Sequence, residues 1–69
     1  MSTVNKLKQE RLNQGLTQSR LAKRAGVTMR TIHNAEAGRR LRRDTQRRIL
    51  EALGHSYGDA PLFFKEAIR

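Results

Sequence analysis

Hydrophobic residues recur along this chain at intervals of three and four positions, the spacing that places side chains on one face of an α-helix. The first such stripe predicts a helix over residues 4–14, with Val4, Leu7 and Arg11 on its inner face. Glycine commonly follows the last turn of a helix, so Gly15 is expected to end it. The chain therefore opens with a short amphipathic helix.

Two further short helices are predicted on either side of Gly26. The first begins after Thr17 and the second, over residues 29–37, after Thr28, because threonine is a good N-cap. Two short helices joined by a glycine turn are typical of a helix-turn-helix, predicted here over residues 18–37. The inner faces of the two helices carry Leu21, Ala22, Ala25, Ile32 and Ala35.

The outer face of the second of these helices is mostly polar. At 100° per residue, its members fall within an arc of about 140° on the side opposite the apolar stripe. A polar face in that position is open to a partner. Its residues are Met29, Arg30, His33, Asn34 and Ala37.

The remaining apolar residues predict two more helices. Asp44 or Thr45 is expected to cap a fourth helix, and Asp59 a fifth over residues 60–68. The pattern as a whole predicts an all-α fold, a compact bundle of about five short helices containing a helix-turn-helix, in a single domain over residues 1–69. The inward residues of the last two helices are predicted to be Ile49, Leu50, Leu53, Leu62, Phe63, Phe64 and Ile68.

Composition excludes several classes of site. The 69 residues include no cysteine, so a hydrophobic core must hold the domain without disulfides. Two isolated histidines, His33 and His55, lack the spacing of metal ligands, and no cofactor or small-molecule ligand is expected. No carboxylate pair, nucleophile–base set or phosphate-cradling glycine loop is present, so an enzyme is not expected.

The sequence also indicates where in the cell the protein is expected. No apolar run approaches the roughly 20 residues of a membrane span, and residues 1–4 do not form a signal peptide. Together with the absence of cysteine, this favours a cytoplasmic protein.

Positive charge is concentrated in the middle of the chain. The formal net charge is +9, and residues 20–48 hold ten basic side chains against only two acidic ones. Six arginines fall within residues 39–48 alone. A charge placed on one segment, rather than spread for solubility, indicates a polyanionic partner.

These features together resemble the lambda-repressor-like, Cro or Xre-type helix-turn-helix family. The likeness covers residues 7–54. It is carried by Arg11 in the first helix, by GLTQSRLAKRAGVTMRTIHNAEAG at residues 15–38, and by ILEALG at residues 49–54. The resemblance implies a DNA-binding protein whose second helix of the motif enters the major groove of a double-stranded operator.

The resemblance also implies roles for individual residues. Thr28, Met29, Arg30 and Asn34 fall where the family contacts base edges. Arginine can pair with guanine O6 and N7 and asparagine with adenine N6 and N7, whereas methionine offers only apolar contact. Met29 departs from the polar or charged residue common at its position.

Phosphate contacts are implied for a second set of residues: Gln18, Ser19, His33, Arg39, Arg40, Arg42 and Arg43. The segment that follows Gly38 contains more arginines than in most members of the family. Arginine can bind phosphates and can also enter a narrow minor groove. Arg11 and Glu36 match an ion pair inside the family's fold that links the first helix to the recognition helix.

Three functional hypotheses remain open from the sequence. The first is a DNA-binding repressor of phage, plasmid or bacterial type, dimeric on an inverted repeat and associated with the nucleoid when bound. The second is an antitoxin or adaptor that uses the fold to bind a protein, with residues 62–68 as its partner segment. The third is nonspecific nucleic-acid packaging, disfavoured because the aromatic residues lie away from the basic region.

A homodimer contact is predicted at the chain's last apolar segment. Two adjacent phenylalanines on a short helix are not expected to both point inward, so part of the segment is available to a second copy. The predicted contact residues are Leu62, Phe63, Phe64 and Ile68. A longer repressor, of which this chain is the N-terminal part, is the alternative source of a dimer contact.

Overall fold

The computed structural model describes residues 6–64 and contains five short α-helices and one turn of 3₁₀ helix. This confirms the predicted all-α bundle. In chain order the elements are α1 (Lys6–Asn13), α2 (Gln18–Ala25), α3 (Met29–Glu36), α4 (Arg43–Ala52), the 3₁₀ turn (Tyr57–Asp59) and α5 (Ala60–Phe63). No helix within residues 6–64 has both the length and the hydropathy that a membrane span requires.

The helix-turn-helix forms as its local sequence predicts. Thr17 caps α2, and its side-chain oxygen accepts the backbone N–H of Arg20 at 3.0 Å. Gly26 adopts φ = 74°, which other residues rarely tolerate, and this lets the N–H of Val27 donate to the carbonyl of Ala22 at 3.0 Å. The turn is therefore fixed by backbone hydrogen bonds that need a glycine.

One hydrophobic core joins all the helices. Small residues at the crossing of α2 and α3 (Ala22, Ala25 and Ala35) are buried, so the two helices can approach closely. α4 packs against α2, and α1 packs against α3 and α5. The large side chains that are completely enclosed are Leu7, Leu21, Ile32, Ile49 and Leu50.

The predicted start of α4 is wrong by two to three residues. The helix begins at Arg43, and Arg42 occupies the N-cap position without a side-chain cap hydrogen bond. Asp44 instead lies in the first turn, where its charge is favourable to the helix dipole and pairs with Arg48 at 3.1 Å.

The predicted fifth helix is also too long. α5 ends at Phe63, and Phe64 takes an extended conformation (φ −128°, ψ 115°). Because the helix stops between them, both phenylalanines point inward and are buried, contrary to the expectation that one would stay exposed. Leu62 is 64% exposed, and Ile68, like Val4, lies outside the described residues.

Asp59 does not cap α5 with its side chain, because its carboxylate is engaged by His55. The Nδ1 atom of His55 lies 3.1 Å from Asp59 Oδ2, and its Nε2 atom lies 3.3 Å from Glu10 Oε2 on α1. A neutral imidazole has one N–H, so only the protonated ring donates to both carboxylates. The ring also stacks edge-on against Phe63, with centroids 5.0 Å apart.

His55 should make the stability of the fold depend on pH. The hydrogen bonds to Glu10 and then to Asp59 raise the pKa of His55, and the bonds from Gln14 and His55 lower the pKa of Glu10 from its ordinary 4.5. The contribution of His55 to the free energy of unfolding is complete below its unfolded pKa of about 6.5. It is lost as pH rises through the higher pKa of the folded state. The glutamate contribution is present above pH 4.5 and is lost as pH falls through the lowered folded value.

Urea unfolding at pH 6 and pH 8.5 measures this effect. The protein should lose stability at the higher pH, and His55→Gln should remove most of the loss. His33→Gln is the matched control, because His33 is exposed on α3 and its side chain makes no described hydrogen bond. Equal loss in the wild-type protein and in His55→Gln would contradict the assignment.

Candidate nucleic-acid interface

The outer face of α3 carries side chains for which no hydrogen bond or ion pair is described within residues 6–64. Ile32 and Ala35 are buried and fix the helix against the core. On the other side Arg30 is exposed and Asn34 is half-buried, and no hydrogen bond of their side chains is described within residues 6–64. Met29 is 54% exposed, and the exposed His33 extends the same face.

Thr28, at the start of α3, is exposed but its hydroxyl is already engaged. The oxygen accepts the backbone N–H of Thr31 at 3.1 Å and lies 2.9 Å from the Thr31 hydroxyl. This bond caps α3 and sets the direction in which the helix leaves the turn. The base contact expected of Thr28 stays a prediction.

The predicted ion pair between Arg11 and Glu36 is present. Arg11 Nε donates to Glu36 Oε2 at 2.6 Å, and a terminal guanidinium nitrogen donates to Oε1 at 3.2 Å. The other terminal nitrogen donates to the carbonyl of Leu16 at 2.8 Å. The two side chains are only 8% and 6% exposed, so this fork-shaped contact joins α1 to the end of α3 away from solvent.

Gln18 belongs to the same network. It is the first residue of α2, and its amide nitrogen donates to Glu36 Oε1 at 3.1 Å. The neighbouring Ser19 is exposed. The resemblance assigns both to phosphate contact, and the sequence contains no local signal for the bond between residues 18 and 36.

The arginine loop, residues 39–43, runs from the end of α3 into the first residue of α4 and presents its charges to solvent. Arg39, Arg40, Arg42 and Arg43 are all exposed, and none forms an ion pair within residues 6–64. Four unpaired guanidinium groups on one short segment form a strongly positive surface, which attracts polyanions.

Two residues that sequence analysis did not single out anchor this loop. Leu41 is half-buried against the core, and its carbonyl accepts the side-chain N–H of Gln46 at 3.3 Å. Gln46 is only 3% exposed, and the Tyr57 hydroxyl donates to its other amide atom at 3.4 Å. Gln46 lies three residues before Ile49, on the inner face of α4. That spacing could have predicted that Gln46 is buried.

Other exposed cations extend the positive surface without belonging to the loop. α2 exposes Arg20, Lys23 and Arg24, which form no described ion pair. Arg48 pairs with Asp44 in solvent, where such a bond contributes little. In the described part of the chain there is no group of three side chains that could hold a metal ion.

A comparison with family models identifies the arrangement. A model described as a helix-turn-helix domain matches residues 4–60, which is most of the chain. Comparisons with curated proteins and with solved structures find no match.

Proposed function

The chain belongs to the helix-turn-helix family, and we propose that it is a transcriptional regulator that binds a specific sequence of double-stranded DNA with α3 in the major groove. The observation that carries the proposal is the outer face of α3. Its polar side chains have no described partner, and it leads directly into four unpaired arginines. The face of α3 that would contact bases is thus followed directly in the chain by the arginines that would bind phosphates.

Recognition of bases is assigned to α3. Arg30 has the donors for guanine, Asn34 has the donor and acceptor for adenine, and Met29 can contact a thymine methyl group. Thr28, whose hydroxyl accepts the N–H of Thr31 as the helix cap, can offer its methyl group for an apolar contact.

Contacts to phosphates fix the register on the duplex and carry no sequence information. They are assigned to the start of α2, to His33 and to the loop that Leu41 and Gln46 anchor. The residues concerned are Gln18, Ser19, His33, Arg39, Arg40, Arg42 and Arg43.

We further propose a repressor of phage, plasmid or bacterial type that acts in the cytoplasm, bound to the nucleoid, as a dimer on an inverted repeat. Two half-sites about one helical turn apart match the family's geometry. Of the residues first predicted to form the dimer contact, Phe63 and Phe64 serve the core, and Leu62 remains exposed. The same burial removes two apolar residues from the partner segment that an adaptor would need.

Selection from a random pool of duplex DNA tests this function. The purified protein should retain an inverted repeat whose half-site centres lie about 10 base pairs apart. Retention without any common sequence would contradict sequence-specific regulation and favour nonspecific packaging. No retention would remove DNA as the partner.

Asn34→Ala should reduce discrimination rather than general affinity. Loss of a bidentate base contact costs about 1–3 kcal/mol against the selected site and much less against unrelated DNA. Arg42→Ala should instead weaken binding to both duplexes by a similar factor, because a phosphate is present in every sequence.

Fluorescence anisotropy titrations on the selected and a scrambled duplex measure both effects. Asn13→Ala, at the end of α1 and outside the helix-turn-helix, is the control and should leave both affinities unchanged. A larger loss of discrimination for Arg42→Ala than for Asn34→Ala would reverse the assigned roles.

A further inference from the structure

The carboxylate of Glu36 is shared between two helices other than its own. Arg11 of α1 donates to both of its oxygens, and Gln18 of α2 donates to Oε1 at 3.1 Å. The Glu36 side chain is 94% buried by its neighbours, so it has little freedom to move. Glu36 is therefore a fixed acceptor beside the first residue of α2.

This acceptor determines which way the Gln18 amide faces. The oxygens of an ionised carboxylate only accept hydrogen bonds, so Gln18 must present its nitrogen to Glu36 and not its oxygen. An amide nitrogen carries two hydrogens, and Glu36 takes one of them. No described residue takes the other, which remains as a donor at the start of α2.

The charge of Glu36 does not prevent an anion from approaching. Arg11 neutralises it through two hydrogen bonds at 2.6 and 3.2 Å. Without Glu36 the Gln18 amide could turn over and present its oxygen to an approaching phosphate, which would repel it. The buried ion pair thus has a consequence for binding beyond its part in the fold.

We propose that Glu36 is a positioning residue for DNA binding, because it holds the Gln18 amide with one N–H directed at a backbone phosphate. The inference rests on the proposed function and deepens it. Arg11 takes part indirectly, by neutralising Glu36 and holding its carboxylate in place. The ion pair and the phosphate contact then act as one unit.

A double-mutant cycle on the selected duplex tests the proposal. Gln18→Ala should weaken binding about tenfold in the wild-type protein, as expected for a lost hydrogen bond to a charged group. In a protein carrying Arg11→Met and Glu36→Met, the same change should cost less than about twofold. The salt dependence should not change in either case, because the amide is uncharged.

Gln14→Ala is the matched control. Gln14 also donates its amide to a glutamate and to a backbone carbonyl, but at the α1 end of the molecule, on Glu10 and Leu53. Its replacement should leave DNA affinity unchanged. Circular dichroism of each variant shows whether it is folded.

Three outcomes of the cycle would overturn the inference: an equal loss from Gln18→Ala in both backgrounds, no loss in either, or tighter binding when Glu36 is removed. The last would mean that Glu36 holds Gln18 away from DNA. Absence of any specific binding by the wild-type protein would be a different result, since it would overturn the proposed function itself.

Nuclear magnetic resonance of the wild-type protein gives a second test that needs no folded variant. On titration with the selected duplex, one side-chain amide proton of Gln18 should shift while the other keeps its free-state position. The unmoved proton is the one bound to Glu36. A shift of both protons, or of neither, would contradict a fixed amide that contacts phosphate.

Discussion

Arg11→Met is expected to lower the free energy of unfolding by about 3–5 kcal/mol, because it leaves a buried carboxylate without its cation. Within residues 6–64, Glu36 would keep only the neutral Gln18 amide as a side-chain partner, and the carbonyl of Leu16 would lose the Arg11 donor as well. A domain of this size has only a few kcal/mol of stability in total. The variant should therefore be largely unfolded near room temperature.

Chemical denaturation of three variants measures the effect. Arg11→Met with Glu36→Met should recover most of the lost stability, since two apolar side chains can replace a buried ion pair at little cost. Arg48→Met breaks the exposed pair with Asp44 and should cost less than about 1 kcal/mol. An Arg11→Met variant no less stable than Arg48→Met would show that the buried pair is not essential.

Replacing all four loop arginines with glutamine should have the largest effect on DNA binding. The logarithm of the binding constant falls with the logarithm of salt by about 0.9 for each phosphate contact, so four lost contacts should reduce the slope by about 3–4. At 0.1 M salt, relative to 1 M, the same relation corresponds to a loss of about three to four decades in affinity. The replaced residues are Arg39, Arg40, Arg42 and Arg43.

A second variant with the same change in net charge distinguishes direct phosphate contacts of the loop arginines from the general attraction between a positive protein and DNA. Lys6, Arg20, Lys23 and Arg24 are exposed cations outside α3 and the loop, and their replacement by glutamine also removes four charges. Its salt slope should change by less than half as much. Equal changes in the two variants would mean that the loop contributes only net charge.

Local signals predicted the helix-turn-helix well. The caps at Thr17 and Thr28 and the turn at Gly26 depend on residues within a few positions of one another, and all three form as expected. The exposed arc of α3 follows directly from the helical period. These features need no knowledge of how distant helices pack.

The predictions that were wrong depend on tertiary contacts. α4 starts earlier than its capping residues suggested, two residues after Leu41, which packs against the core. α5 ends early, and the extended Phe64 joins Phe63 in the core. Helical periodicity alone cannot show where such packing ends an element.

The contacts of the candidate site also fall into those that could be predicted from the sequence and those that could not. The Arg11–Glu36 pair followed from family resemblance, and the structure contains it. The bond between Gln18 and Glu36 could not be predicted, because it joins residues 18 positions apart and depends on how closely α2 approaches the end of α3. The contacts of α3 and of the loop with DNA remain predictions.

Removal of the major-groove acceptors of the selected duplex, one at a time, tests most directly whether α3 binds in the major groove. Replacing a purine by its 7-deaza analogue deletes N7 and leaves the minor groove and the phosphates unchanged. We expect 7-deaza substitution at one or two positions in each half-site to weaken binding, and Arg30→Ala or Asn34→Ala to remove this sensitivity. Full affinity for every 7-deaza duplex would contradict the placement of α3 in the major groove.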